Sequence, residues 1–432
     1  MLSQKEKQLL RSIESRKQRI VEKLQTLIRY PTTTPGLGCR AEGRAYRNYQ
    51  RDIQKTLEAL GFAVDSWEID ASKLETFWGS GVDPDRDLGN MPVVVGRKEG
   101  RKGGRSLLLN GHYDVVPPGE LGAWSYDPFQ GDRVENRIYG RGASDMKGGI
   151  AAMLSALELI DEAGVELDGE LIFESVPDEE GSTMGTLACC QKGYRADAAL
   201  IPEPTDMKIQ LALRGGVSGK ITVFGRAGHA DRTQPHFSEG GAVNAITKSM
   251  KIVQALEELN EEWRLRPDKR HKYLDPDIVI PTLIHGGEWF VMYPEKVEID
   301  FTTDFIPGTT DLWKELQAKI QAVASTDPWM KTRPPKLEQT DTLLYGAEVD
   351  EGEPIVSTAA EIMAELGEPV ELIGSGGLTD AVHLVNYAKV PTISIGPCGS
   401  TAHKNDEYIE IEELVHLTKI ISLLILRWCG YS

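Results

Sequence analysis

The sequence predicts an α/β protein with a mostly parallel sheet flanked by helices and an inserted, smaller α+β domain. Short apolar runs alternate with helical patterns in the first half of the chain and again near its end, which is typical of parallel strands buried on both faces. A middle segment instead alternates polar and apolar residues, which indicates half-exposed antiparallel strands. A chain of 432 residues is also too long for one ordinary core, so we expect two domains.

The first 30 residues predict one amphipathic helix packed on its own domain, and Pro31 and Pro35 end it. This segment lacks the uninterrupted apolar region of a secretory signal, and no run in the chain reaches transmembrane length. Five scattered cysteines without a CxxC pair indicate buried free thiols in a reducing compartment. We therefore expect a cytoplasmic protein.

The net charge of −18, from 66 acidic and 48 basic residues, argues against two classes of partner. Nucleic acids and anionic membranes both require a basic face on the protein. We therefore expect a small-molecule substrate, with neither nucleic acid nor membrane as a partner.

The elements of the larger domain follow in order along the chain. Strands are predicted near residues 106–111, 169–176, 197–204 and 390–397, and helices over 149–164 and 412–428. Ligands of such sheets gather beyond the carboxyl ends of the strands.

The middle segment predicts the order β-α-β-β-α-β, which is the ferredoxin-like split unit. Its strands and helices are predicted near 218–225, 242–263, 278–287, 296–305, 310–324 and 334–340. We place this inserted domain at residues 215–343, so the larger domain comprises residues 1–214 and 344–432.

Five short segments supply acids and imidazoles, and four of them adjoin a predicted strand end. They are "NGHYD" (110–114), "GRGASDMKGG" (140–149), "PDEEGS" (177–182), "PEPT" (202–205) and "STAHKNDEY" (400–408). Unpaired acids at the rim of a core cost too much to desolvate, and a divalent metal ion removes that cost. The segments therefore predict a two-metal hydrolytic site.

The H-x-D pair of His112 and Asp114 predicts a metal-binding imidazole whose other ring proton is accepted by Asp114. Glycines around Asp145 allow a close approach to metal, and its two oxygens can bridge ions about 3.5–4 Å apart. Taken singly, the histidine could equally be a surface residue and the aspartate a cap in a glycine-rich turn.

Glu179 and Glu180 are neighbours that point to different sides of the chain, so one can bind metal while the other faces substrate. Metal lowers the pKa of bound water from 15.7 to about 7, and we assign Glu179 as the general base and Glu180 as a ligand. An isolated pair of glutamates would otherwise be two solvated loop acids. With Glu203 and His403 the donor set suits Zn²⁺, with Co²⁺ or Mn²⁺ as alternatives.

Through these five segments the chain resembles the metal-dependent amidohydrolase and exopeptidase family that includes acetylornithine deacetylase, succinyl-diaminopimelate desuccinylase, aminoacylase and glutamate carboxypeptidase. The resemblance covers essentially the whole chain. It implies a zinc-exopeptidase-like sheet with an inserted lid that forms a homodimer. It also implies two metal ions that share Asp145, one held with His112 and Glu203 and the other with Glu180 and His403, and Glu179 as base.

A lid segment, "GRAGHADRTQPH", resembles the part of the family in which a histidine reaches the other subunit's site and stabilises the oxyanion. Here that histidine is His229, a donor typically worth about 2.7–4 kcal/mol of barrier. The alternative is a turn histidine beside glycine.

Substrate contacts depart from the family pattern, in which a lid asparagine and arginine hold a carboxylate. Val291 stands at the asparagine place, and Thr302 and Asp304 stand where aspartate and arginine are expected. If Asp304 faces the site it should repel a carboxylate and favour an amine or a heteroaromatic base. Alternatively Arg232 binds the carboxylate.

The loop 374–381 resembles a substrate-contacting loop of the family. Its candidate contacts are Gly376, Gly377 and Thr379.

These patterns predict a hydrolase that cleaves the amide of a small N-acylated amino acid or amine through attack by metal-bound hydroxide. A deformylase or deaminase acting on a heteroaromatic amine, or a dipeptidase, would use the same site. The non-enzymatic alternative is an inactive metal-binding dimeric scaffold.

Overall fold

The structure is a computed structural model that describes residues 1–35, 41, 43–77 and 79–432. Its helices are α1 (Gln4–Ser15), α2 (Lys17–Ile28), α3 (Arg44–Ala59), α4 (Lys147–Glu162), α5 (Met184–Lys192), α6 (Ala245–Leu265), α7 (Leu312–Thr326), α8 (Pro354–Leu366), α9 (Ala381–His383) and α10 (Ile411–Cys429). Its strands are β1 (Ala63–Glu68), β2 (Pro92–Lys98), β3 (Gly104–His112), β4 (Asp132–Val134), β5 (Arg137–Tyr139), β6 (Gly169–Val176), β7 (Ala198–Ile201), β8 (Ile209–Leu213), β9 (Gly215–Phe224), β10 (Gly228–His229), β11 (Ile278–Gly286), β12 (Met292–Tyr293), β13 (Lys296–Phe305), β14 (Lys336–Gln339), β15 (Ala347–Glu348), β16 (Leu372–Ser375), β17 (Thr392–Ser394) and β18 (Tyr408–Glu410).

The larger sheet has the order β1-β2-β6-β3-β7-β17-β8-β15, with β16 beside β8. Its centre is parallel, since β3 runs parallel to both β6 and β7, and β17 runs parallel to β7. Its edges contain antiparallel pairs, so the sheet is mixed rather than mostly parallel. The reason at the first edge is that the described residues between β1 and β2 contain no α-helix, and a parallel pair needs such a crossover.

Helices cover the sheet, and two long, largely buried ones, α4 and α10, pack against each other. α4 and α10 are buried along most of their length and are in contact, as expected for helices that are apolar all round. The predicted N-terminal helix is in fact two helices, because Arg16 leaves the helical conformation (φ −106°, ψ 13°). The first helix, α1, contacts mainly α10, and the second helix, α2, contacts mainly α4. The break at Arg16 therefore allows each helix to pack against a different partner.

The inserted segment forms a separate antiparallel sheet with the order β11-β13-β9-β14. Its helix α6 packs on three of these strands and on α7. Apolar side chains such as Ile221, Trp263 and Ile299 form a second core. Because the two sheets divide where β9 begins and again between β14 and β15, we retain residues 215–343 as a proposed inserted domain, called the lid below.

The described cysteines are free, and three of them, Cys189, Cys190 and Cys429, are buried. Cys398 is partly exposed, so the expectation of buried thiols is wrong at that residue. Cys39 lies outside the described residues. Across the described ranges, none of the helices combines the length and apolarity that crossing a bilayer requires.

Candidate metal centre

Three of the predicted segments meet at the carboxyl edge of the parallel strands. His112 ends β3 and is in register with Val176, the last residue of β6. Glu179 and Glu180 follow β6, and Glu203 follows β7 on the other side of β3. Parallel neighbours end at the same edge, which is why these side chains converge as the sequence predicts.

Two groups of donor atoms share Asp145. His112 Nε2 lies 3.2 Å from Asp145 Oδ1 and 3.6 Å from Glu203 Oε1. His403 Nε2 lies 3.4 Å from Asp145 Oδ2 and 3.0 Å from Glu180 Oε2. Each oxygen of Asp145 thus faces a different histidine, as a bridging carboxylate requires.

The Glu179 carboxylate borders the first group, with Oε2 3.8 Å from His112 Nε2. His112, Glu179 and Glu180 together also offer donor atoms within 4.8 Å of one another. Glu180 is the member of the glutamate pair that contacts His403. This contact favours Glu180 over Glu179 as the ligand beside that histidine.

Asp114 holds the site in a different way from the one expected. His112 Nδ1 faces the backbone carbonyl of Asp114 at 2.9 Å, while the nearer carboxylate oxygen is 3.7 Å away. The carboxylate instead accepts hydrogen bonds from the Thr34 hydroxyl at 2.5 Å and from the backbone N–H groups of Glu179 and Glu180, each at 3.3 Å. A proton on Nδ1 shared with the carbonyl still leaves the neutral ring's Nε2 free for a metal ion.

The sequence interpretation missed the buried groups that support the loops. Glu407 accepts the backbone N–H groups of Ser144 and Asp145 and pairs with Arg141. Glu407 belongs to the "STAHKNDEY" segment and directly precedes a strand. An acidic residue at that position was a signal from which Glu407 could have been identified. Arg86 pairs with Asp178, the residue before Glu179, but it comes from a loop without any motif.

The electrostatics of the cluster reflect buried, closely spaced charges. Burial raises the pKa of Glu203 to about 7, and burial together with the charges of Glu203 and Glu180 raises the pKa of Glu179 well above its ordinary value despite His112. Hydrogen bonds from both histidines overcome burial and lower the pKa of Asp145. Hydrogen bonds to Asp145 and Glu180 raise the pKa of His403 to about 10.

These donors fit divalent cations. The buried Glu203 Oε1 atom has no hydrogen-bond partner among the described residues. The cluster offers imidazole nitrogen and carboxylate oxygen without thiolate, which suits Zn²⁺ and its neighbours in the first transition row. Bound cations would also offset the cost of burying several carboxylates together.

The predicted lid residues are not among the side chains that meet at this cluster. His229 is exposed on β10, where it accepts a hydrogen bond from the Asp231 N–H at 3.2 Å. Arg232, the alternative carboxylate-binding residue, is exposed on the same turn. Val291 accepts a hydrogen bond from the Ala230 N–H beside His229.

Asp304 lies where the lid joins the larger domain. Its Oδ2 atom is 3.8 Å from Nη1 of the largely buried Arg214, which also lies 3.6 Å from the exposed Asp275. A Cβ added at Gly216 would lie 3.9 Å from Asp304 Oδ1 and 3.8 Å from the Leu378 side chain. Asp304 and Leu378 of the loop 374–381 therefore both approach Gly216.

In that loop Thr379 is buried and its hydroxyl accepts the Ala381 N–H, whereas Gly376 and Gly377 are exposed. The Gly377 N–H already donates to the Ser375 hydroxyl at 3.1 Å, which reduces its value as a substrate donor.

Comparison with known proteins agrees with this geometry. The model of peptidase family M20/M25/M40 matches residues 108–427. The chain is 30% identical over 440 residues to the N-formyl-4-amino-5-aminomethyl-2-methylpyrimidine deformylase of Halalkalibacterium halodurans, covering 98% of this chain and 97% of the relative. It is 31% identical over 417 residues to the succinyl-diaminopimelate desuccinylase of Methylorubrum extorquens, covering 92% and 95%.

The fold also matches solved structures. A tripeptidase from Staphylococcus aureus superposes with a TM-score of 0.72 at 18% identity, covering 95% of this chain and 98% of that one. The α/β fold with flanking helices is thereby confirmed.

Metal binding to this centre should release protons near pH 7. His403 and Glu203, with pKa values of about 10 and about 7, hold protons in the metal-free protein and must lose them to bind an ion. The calorimetric enthalpy of Zn²⁺ binding should therefore differ between phosphate and Tris buffers, and affinity should rise with pH. His403→Ala should release fewer protons, and buffer-independent enthalpies would contradict the prediction.

Proposed function

The chain belongs to peptidase family M20/M25/M40 and is a metal-dependent hydrolase of amide bonds, and we propose that its substrate is a small amine carrying a short N-acyl group. The observation that carries this proposal is the convergence of two histidines and four carboxylates at one edge of the sheet. When bound, two divalent ions supply Lewis acidity for the amide carbonyl and lower the pKa of water. We propose Zn²⁺ for both positions, with Co²⁺ or Mn²⁺ as alternatives.

In this proposal the ligands fall into the two groups that share Asp145. His112 and Glu203 complete one group, and Glu180 and His403 complete the other. Asp114 supports both groups, because its carbonyl orients His112 and its carboxylate holds the backbone next to Glu180.

Glu179 is the proposed general base and acid. Its carboxylate takes a proton from the attacking water as the new C–O bond forms. The protonated carboxyl then gives that proton to the amine nitrogen as the C–N bond breaks. The buried position and raised pKa of Glu179 suit the second step, because the proton is held until the leaving nitrogen needs it.

For the amine we propose a heteroaromatic or cationic group rather than a carboxylate-bearing one. Asp304 places a carboxylate at this junction, and Arg214, the cation 3.8 Å from it, is already shared with the exposed Asp275. Such a charge repels a substrate carboxylate and favours an amine or heteroaromatic base. The similarity to an aminopyrimidine deformylase over 98% of the chain supports an N-formyl group as one candidate acyl group.

We further propose that the protein forms a homodimer through the lid. β11 is an edge strand whose Ile280, Leu283 and Ile284 side chains are exposed. Exposed apolar edges of this kind are typical of association surfaces. Nearby, the tilted rings of the exposed Trp289 and Phe290 lie in contact, with centroids 4.8 Å apart.

In such a dimer we propose that His229 serves the partner's site as an oxyanion donor. It lies on the ribbon formed by β10 and β12, beside the exposed Met292 and the aromatic pair. This exposed position, away from its own metal cluster, supports action across the interface.

The free cysteines, among them the adjacent Cys189 and Cys190, support a reducing compartment, and we propose the cytoplasm.

Glu179→Gln should bind two ions and lose about 10²- to 10⁴-fold in kcat, because the proton carrier is removed while the ligands stay. The assay is a metal-loaded screen over N-formyl, N-acetyl and N-succinyl amines and dipeptides, with metal content measured separately. Glu371→Gln, an exposed acid paired with Lys208, should keep full activity. If Glu179→Gln hydrolyses a substrate at the native rate, Glu179 is not the general base. If the unmodified protein is inactive on every compound, the alternative of an inactive metal-binding scaffold is favoured.

Asp304→Asn should change substrate preference rather than overall rate. Loss of the charge should raise KM for a cationic amide about tenfold, equivalent to about 1.4 kcal/mol, and lower KM for an N-succinyl substrate. The control is Asp275→Asn, which alters the exposed partner of the same Arg214 and should have little effect because of solvent screening. Parallel changes in KM for both substrates would show that Asp304 does not select by charge.

Mixing two inactive variants tests whether His229 acts in the site of the partner subunit. His229→Ala should lose about 10²- to 10³-fold in kcat, the usual cost of an oxyanion donor. If His229 acts across the dimer, mixing it with Glu179→Gln restores about a quarter of native activity, because each mixed dimer has one complete site. Leu283→Asp should prevent both dimer formation and rescue. A mixture that stays inactive although mixed dimers form would refute action in trans.

A further inference from the structure

Arg141 and Glu407 form a buried ion pair beside the metal centre that no step of the proposed reaction uses. Arg141 Nη1 lies 2.6 Å from Glu407 Oε2, and both side chains are almost fully inaccessible. Burying two charges is costly unless the remaining donors and acceptors are also satisfied. All of them except Arg141 Nε have partners among the described residues, and these contacts show what the pair holds in place.

Both partners bind the main chain of the loops that carry Asp145 and His403. Glu407 Oε1 accepts the N–H groups of Ser144 at 3.0 Å and of Asp145 at 3.1 Å. Arg141 lies in the Asp145 loop and donates to the carbonyls of Lys404 at 3.1 Å and of His403 at 3.5 Å. Each loop thus supplies the side chain that fixes the other loop.

The two halves of the metal centre differ in their support. His112 belongs to β3 and Glu203 follows β7, so adjacent parallel strands fix their backbones. His403, in contrast, lies in a loop with φ of 61°, and its side chain is 53% exposed. The half that contains His403 therefore depends more heavily on contacts between loops.

We propose that Arg141 and Glu407 are positioning residues that set the affinity of the Asp145–Glu180–His403 half of the metal centre without binding an ion themselves. The inference rests on the proposed two-ion site. Groups that orient metal ligands commonly change metal affinity by about 10- to 100-fold when replaced. The difference in support between the halves makes the expected effect selective for one ion.

Two substitutions test the pair. Glu407→Gln keeps an oxygen for the two N–H groups but places an amide donor against the donors of Arg141. Arg141→Lys keeps the charge, yet one ammonium cannot replace a guanidinium that contacts Glu407 and the three carbonyls of Pro117, His403 and Lys404 together. We expect each variant to bind the first ion normally and the second about 10- to 100-fold more weakly.

The measurement is the titration of metal-free protein with Co²⁺ and with Zn²⁺. Calorimetry monitors both titrations, and visible absorption monitors the binding of Co²⁺. Loss of one spectral component with retention of the other would support a positioning role, which a general loss of stability would not produce. If Glu407→Gln fails to fold, Arg141→Lys decides the question.

A matched control exists in the lid. Asp277 is fully buried, pairs with the buried Lys269 at 2.8 Å and also accepts a backbone N–H, from Ile306. Asp277→Asn should lower the melting temperature but leave both metal-binding steps unchanged.

Three outcomes would overturn the inference. They are native affinities in both variants, equal weakening of both steps, or loss of the second ion in Asp277→Asn as well. An unmodified protein that binds fewer than two ions would instead overturn the proposed two-ion function, and this inference with it.

Discussion

The arrangement of this molecule depends on one electrostatic constraint, the burial of several carboxylates around shared imidazoles at the edge of a sheet. Desolvation and mutual repulsion raise the pKa of Glu203 and Glu179, and the histidines offset only part of that cost. A core without a ligand has no reason to retain such a cluster, since an apolar substitution would be less costly. Bound divalent cations would offset this desolvation and repulsion. Contacts between the surrounding loops keep the donor atoms together.

The glycines of the second motif show how tightly this shaping is enforced. A Cβ at Gly149, in the first turn of α4, would lie 2.5 Å from the backbone oxygen of Pro202. The start of α4 therefore packs directly against the segment that carries Glu203. Gly142 has φ of 86°, which side-chain-bearing residues rarely adopt, and it lies in the turn before Asp145. The motif is therefore explained by packing and backbone geometry as well as by ligation.

The sequence predicted the strands and motifs that a local pattern marks. It did not predict contacts between residues that are far apart in the chain. Strands 169–176 and 296–305 were predicted to the residue, and the motif order located the donor atoms. The edge strands β1, β2, β8 and β15 were not predicted, and their antiparallel pairing depends on crossovers rather than on the pattern of a single strand. The carboxylate contacts of Asp114 and the partners of Arg86 and Arg141 join segments far apart in the chain, so the sequence did not indicate which residues meet.

Chemistry and selectivity are assigned to different parts of the chain, and this separation explains why overall similarity does not determine the substrate. In the proposed mechanism the five motifs supply the ligands, the base and their supports, so none is left to distinguish one amine from another. The residues proposed to distinguish amines, Asp304 and the loop 374–381, lie at the junction with the lid. Identities of 30% and 31% to a deformylase and a desuccinylase are almost equal. The proposed contact of Asp304 would therefore separate the candidates better than either identity, because it concerns the part of the substrate in which they differ.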